Sequence, residues 1–156
     1  MKTSEAGLEL IKGFERLKLK PYYDPVGYPT VGYGHLLSRE PWADLSQWPT
    51  LTPEEAHEFL RRDLEVAERA IEWLIHVPLS LGHFDALVSF TFNLGTGALQ
   101  ESTLRRLLNQ GGYDQVPAQL RRWVFAKGVR LSGLVKRREA EIALGEPWTT
   151  PHTQES

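Results

Sequence analysis

The sequence predicts an α+β fold, a small N-terminal sheet followed by a long helix and a helical remainder, and three observations carry the prediction. Residues 19–37 hold an aromatic, β-branched, Pro- and Gly-rich text (PYYDPVGYPTVGYGH) that suits turns and short strands. Residues 53–75 repeat apolar side chains at steps of three and four behind a strong helix start. Residues 81–94 (LGHFDALVSFTFNL) are apolar nearly all round, as in a helix at the centre of a helical core. At 156 residues the chain suits one domain, with a sheet-bearing part at 1–52, a connecting helix at 53–75, a helical part at 76–148 and a polar tail at 149–156.

Each element has a local reason. Thr3 or Ser4 can cap a first helix over 4–14, where Leu8, Ile11, Leu10 and Phe14 fall at helical spacing. Residues 39–50 (REPWADLSQWPT) read as an irregular loop. Thr52-Pro53-Glu54-Glu55 then supplies a cap, a proline at the first helical position and a glutamate three residues after the cap. Gly95 can stop the 81–94 helix. Leucine spacing and the punctuation of Gly111-Gly112, Gly128 and Gly133 predict shorter helices at 102–109, 113–124 and 133–144.

Composition narrows the chemistry. Without cysteine there is no disulfide, thiolate metal site or cysteine nucleophile. The five histidines are scattered and no His-Glu-x-x-His pair occurs, and Gly32-Tyr33-Gly34 lacks the rest of any phosphate-binding motif, so neither metal nor other cofactor is expected. The charged opening MKTSEAGLELIKGFERLK argues against a signal peptide and a membrane anchor, which leads us to expect synthesis in the cytoplasm without membrane insertion. The net charge of −2 hides an asymmetry: residues 40–75 hold nine acidic and three basic side chains, residues 101–145 four and nine. Such a basic part can steer toward anionic polymers, cell-wall peptide carboxylates among them.

One constellation carries catalytic chemistry. Glycosidic hydrolysis needs an acid that protonates the leaving oxygen and an ionised carboxylate that activates water or attacks the sugar. Glu15 follows a helix end beside Phe14 and Leu17, where partial burial favours the protonated form, and Asp24 opens the polar turn Asp24-Pro25-Val26-Gly27. Eight residues separate them, and five separate Asp24 from Thr30, which Val31-Gly32-Tyr33-Gly34-His35 follows. Singly, Glu15 suits a surface glutamate, Asp24 a turn residue and Thr30 a strand residue. Their joint spacing is what points to function.

This pattern resembles the phage-type lysozymes, or endolysins, of glycoside hydrolase family 24, and the likeness continues through Ser89–Gly95, Ser102-Thr103-Leu104, Trp123 and Gly133–Glu139. The resemblance implies a lysozyme-like fold and hydrolysis of the β-1,4 bond between N-acetylmuramic acid and N-acetylglucosamine in bacterial peptidoglycan. Glu15 would be the general acid, Asp24 the base or stabilising carboxylate, and Thr30 the residue positioning water. It also implies substrate contacts at Leu36, Phe92 and Thr103, although these equally suit a turn residue, a core residue and a helix cap. His35 and Arg138 would support the site, Arg138 by pairing with acidic groups at the active-site helix. The expected partner is peptidoglycan alone, with no nucleic acid, and the expected state is a monomer that reaches the wall after release from the host cytoplasm. The resemblance favours inversion at the anomeric carbon, which residue spacing leaves open.

Two departures stand out. Arg16 occupies a position where glycine commonly follows the catalytic glutamate, and loop 39–50, with Trp42 and Trp48, is longer than in the most compact members. The indoles suit sugar stacking and loop packing alike. Rival readings are a lytic transglycosylase on the same bond, with Asp24 and Thr30 as spectators, a non-catalytic wall-binding module, and a nucleic-acid binder acting through the basic C-terminal part.

Overall fold

A computed structural model describes residues 1–152, so the end of the expected tail, 153–156, lies outside the described residues. The elements are α1 (Glu5–Phe14), β1 (Lys18–Tyr23), β2 (Pro29–Gly32), β3 (His35–Leu36), α2 (Pro53–Leu74), α3 (Leu81–Leu94), α4 (Thr96–Glu101), α5 (Thr103–Asn109), α6 (Val116–Leu120), β4 (Phe125–Ala126), β5 (Val129–Arg130) and α7 (Ser132–Gly145). This is the α+β arrangement expected. The chain forms two compact units, Lys12–Glu65 on the one hand and Met1–Ile11 with the residues from Val66 on the other.

In the Lys12–Glu65 unit, β1, β2 and β3 form an antiparallel sheet in that order, with a register shift between Lys18 and Tyr22. Tyr22 faces Thr30, Thr30 faces Leu36 and Val31 faces His35. Directly opposed residues share a face, so Tyr22, Thr30 and Leu36 line one side of the sheet and Val31 and His35 the other. The second side is apolar: Val31 clusters with buried Leu51 and Ala56, and Leu19, Tyr33, Leu37 and Phe59 pack around them. The capping box read from Thr52 and Glu55 is formed, with Glu55 N–H donating to Thr52 Oγ1 at 3.1 Å and Thr52 N–H to Glu55 Oε1 at 3.0 Å.

In the other unit, residues 83–91 of α3 are buried without interruption, and α3 packs on α7 and α4. The cap of α1 is built from two sides. Ser4 Oγ receives the Gly7 N–H at 3.3 Å, while the Asp85 carboxylate accepts both the Ser4 N–H and the Ser4 hydroxyl. The cap of α3 uses a histidine. Ser80 Oγ accepts the His83 N–H at 3.0 Å, His83 Nδ1 accepts the Ser80 N–H at 3.2 Å, and Nε2 donates to the Pro147 carbonyl at 2.9 Å. That set requires the neutral ring, and burial pushes the imidazole pKa down against the raising effect of the Pro147 carbonyl. Trp148 stacks on the same ring at 4.6 Å between centroids.

Differences from the expected elements lie after α3. Gly95, at φ 97°, ends α3 as expected, but the chain starts α4 at once. The helix expected over 113–124 is a 3-10 turn at Tyr113–Gln115 and a short α6, followed by a β4–β5 hairpin. Lys127 at φ 51° and Gly128 at φ 78° form its two-residue turn, and Ala126-Lys127-Gly128-Val129 is the local sequence signal for it.

Candidate functional site

The turn after β1 holds Asp24 by its own backbone. Gly27 N–H donates to the Asp24 carbonyl at 2.9 Å, and Asp24 Oδ1 accepts from Val26 N–H at 2.9 Å and Tyr28 N–H at 2.8 Å. Two amide donors on one oxygen fix the carboxylate plane. Oδ2 accepts no hydrogen bond from the described residues, and the side chain is half-buried. One oxygen is therefore spent on architecture and the other is available.

Thr30 is 6% exposed and sits in β2. Its hydroxyl donates to the Tyr28 carbonyl at 2.8 Å, so its proton is committed and its oxygen can act only as an acceptor. Glu15 immediately follows the last residue of α1, is half-buried, and lies over the Tyr33-Gly34 turn, with Oε2 3.7 Å from where a Cβ on Gly34 would stand. Leu36, opposite Thr30, is 42% exposed.

Tyr22 links these groups. Its phenol is held above the ordinary range, first by burial and then by the negative charges of Glu15 and of Asp24. Both carboxylates thus act on one hydroxyl, on the sheet face that also carries Thr30. Tyr22 was not a sequence candidate; only strand register distinguishes it from Tyr23, which turns toward the loop and donates to the Ala43 carbonyl at 2.7 Å.

His35 points to the opposite face. Its Nδ1 lies 2.9 and 3.0 Å from the two oxygens of Asp63, and its ring stacks on Phe59 at 4.5 Å. Asp63, four residues after Phe59 on α2, is therefore the partner that orients His35. The signal for it was a carboxylate on the helix stripe that faces the sheet.

Phe92, Thr103 and Arg138 belong to the other compact unit. Phe92 is half-buried near the end of α3 and Thr103 half-buried as the first residue of α5, whose cap is Ser102. Arg138 is fully buried and has partners within its own unit. Nε lies 2.9 Å from Glu141 Oε1 on its own helix, and Nη2 donates to Asn93 Oδ1 at 2.6 Å and Glu141 Oε2 at 3.2 Å. Ser89 donates to Glu141 Oε2 at 2.6 Å and accepts from Arg137 Nε at 3.2 Å, which completes a buried polar cluster. Trp123 sets an edge against Phe90 at 5.5 Å, as a packing residue does.

Among the described residues no helix is long and apolar enough to cross a membrane. The phage lysozyme family model matches residues 12–141. The chain is 41% identical over 150 residues to an endolysin of Acyrthosiphon pisum secondary endosymbiont phage 1, covering 94% of this chain and 99% of that protein. It is 38% identical over 146 residues to an endolysin of Bacillus phage B103, covering 92% of this chain but only 54% of that relative, about half its length. Among solved structures it is similar to the muramidase domain of SpmX from Asticaccaulis excentricus, with a TM-score of 0.82, 36% identity, and 93% and 97% of the two chains covered.

Proposed function

We propose that this chain, which belongs to the phage lysozyme family, hydrolyses the β-1,4 bond between N-acetylmuramic acid and N-acetylglucosamine in bacterial peptidoglycan and so breaks down the cell wall. The observation that carries the reading is the half-engaged Asp24 carboxylate, with Thr30 and Tyr22 on the neighbouring sheet face and Glu15 acting on the same phenol. Glu15 is the general acid that protonates the leaving oxygen. Asp24 Oδ2 is the base. A water that donates one hydrogen to Thr30 Oγ1 and the other to Asp24 turns its lone pair to the anomeric carbon, because the Thr30 proton is already given to Tyr28. The course is then inverting, since the second carboxylate works through water.

Leu36, Phe92 and Thr103 contact the glycan, and His35 and Arg138 act through other groups. His35 braces β3 against α2 through Asp63, and Arg138 holds Asn93, next to Phe92, through a partly buried hydrogen bond. The enzyme works as a monomer on the wall after leaving the cytoplasm, without inserting in the membrane and without nucleic acid or a cofactor.

The test is Glu15→Gln, which removes the transferable proton and keeps the shape. Release of reducing ends from purified sacculi should fall about 10²–10⁴-fold with an unchanged melting temperature. Parent-level release by the Gln variant removes Glu15 from the mechanism, and anhydro sugar ends in the parent's products would replace hydrolysis by transglycosylation.

A further inference from the structure

We propose that Trp42 is a sugar-stacking platform that takes an N-acetylhexosamine unit of the glycan strand beside the Asp24 turn; this rests on the hydrolase reading above. Trp42 is 64% exposed and adopts a φ of 62°, a left-handed backbone that bulky residues avoid. Several contacts hold it there. Its N–H donates to the Gly27 carbonyl at 2.8 Å, the Tyr23 ring lies 5.0 Å away at a 59° tilt, and the Tyr23 hydroxyl anchors the next residue, Ala43.

Gly27, itself at φ 98°, lets the indole lie down on the turn: a Cβ there would stand 2.5 Å from Cε2 and 2.7 Å from Cζ2. Backbone therefore supports one side of the indole and the Tyr23 ring packs against it, while the residue keeps 64% of its surface exposed. The same turn places Gly27 N–H on the Asp24 carbonyl and Val26 N–H on Asp24 Oδ1, so a braced aromatic plane is tied within three residues to the proposed base. A flat, braced, exposed indole fits the apolar C–H face of a pyranose. The occupant is a sugar of the strand being cut, because the platform is continuous with the turn that carries Asp24.

The test compares Trp42→Leu, which keeps apolar bulk but has no ring, with Trp42→Tyr, which keeps a ring, on peptide-free glycan strands prepared from sacculi. Stacking predicts a KM about fivefold higher for Trp42→Leu with kcat unchanged, and a KM within about twofold of the parent for Trp42→Tyr. A parent-like KM for Trp42→Leu, or equal losses in both variants, overturns the platform. Failure of the hydrolase reading shows separately, as a parent that releases no reducing ends. Calorimetric binding of the same strands to parent and Trp42→Leu then decides, with about fivefold weaker binding expected for stacking and equal affinity against it.

Discussion

The two compact units treat charge in opposite ways. In Lys12–Glu65 the ionisable groups of interest stay partly in solvent: Glu15 and Asp24 are half-buried, and the side chains of His35 and Asp63 are 27% and 28% exposed. In the other unit Glu141, Arg138, Asp85 and Arg137 are essentially sealed. The sealed groups are matched to donors and acceptors that hold helices to one another, Glu141 to Ser89 and Arg138, Asp85 to the α1 cap. Asp24 instead spends one oxygen on its turn and keeps the other. A carboxylate sealed from solvent and ion-paired is architecture, and a half-exposed one with an oxygen to spare can be a reagent.

That contrast can be broken at three points besides the Glu15 and Trp42 variants. The largest stability effect is expected at Glu141→Ala, which strands Arg138 in the interior and should cost about 3–5 kcal/mol, read from urea unfolding. Burial already pushes the Glu141 carboxyl up and the Arg138 guanidinium down against the attraction of the pair, so neither charge tolerates loss of the other. A loss no larger than that of a surface substitution would show the cluster to be dispensable.

His83 gives a smaller, pH-dependent effect. Its folded pKa lies below the ordinary imidazole value, so its contribution is present in full above the unfolded pKa, about 6.5, and is lost as pH falls toward the folded pKa. The melting temperature should fall between neutral and mildly acidic pH, and His83→Gln should flatten part of that slope. An unchanged slope in the variant would assign the pH dependence to other groups.

The smallest effect is spectroscopic and tests the convergence of the carboxylates directly. Tyr22 should titrate nearer to an ordinary phenol in Glu15→Gln, and to a lesser extent in Asp24→Asn, with the part due to burial remaining. The measurement is tyrosinate ultraviolet absorbance against pH, with Tyr22→Phe identifying the transition. A Tyr22 curve insensitive to both substitutions would separate the groups that the proposed reaction needs together.

The amino-acid sequence by itself determined the features made by residues a few positions apart. These are the Thr52–Glu55 capping box, the Asp24 turn, the stop at Gly95, and the spacing of Glu15, Asp24 and Thr30. Such hydrogen bonds close within one turn of chain and need little from elsewhere. Only the tertiary structure decided that Tyr22 rather than Tyr23 shares a face with Thr30, that Arg138 meets Glu141 and Asn93, that Asp63 holds His35, and that Trp42 stays open while Trp48 is partly covered. Those outcomes depend on strand register and on which long-range surface reaches a side chain first, and no local pattern encodes either.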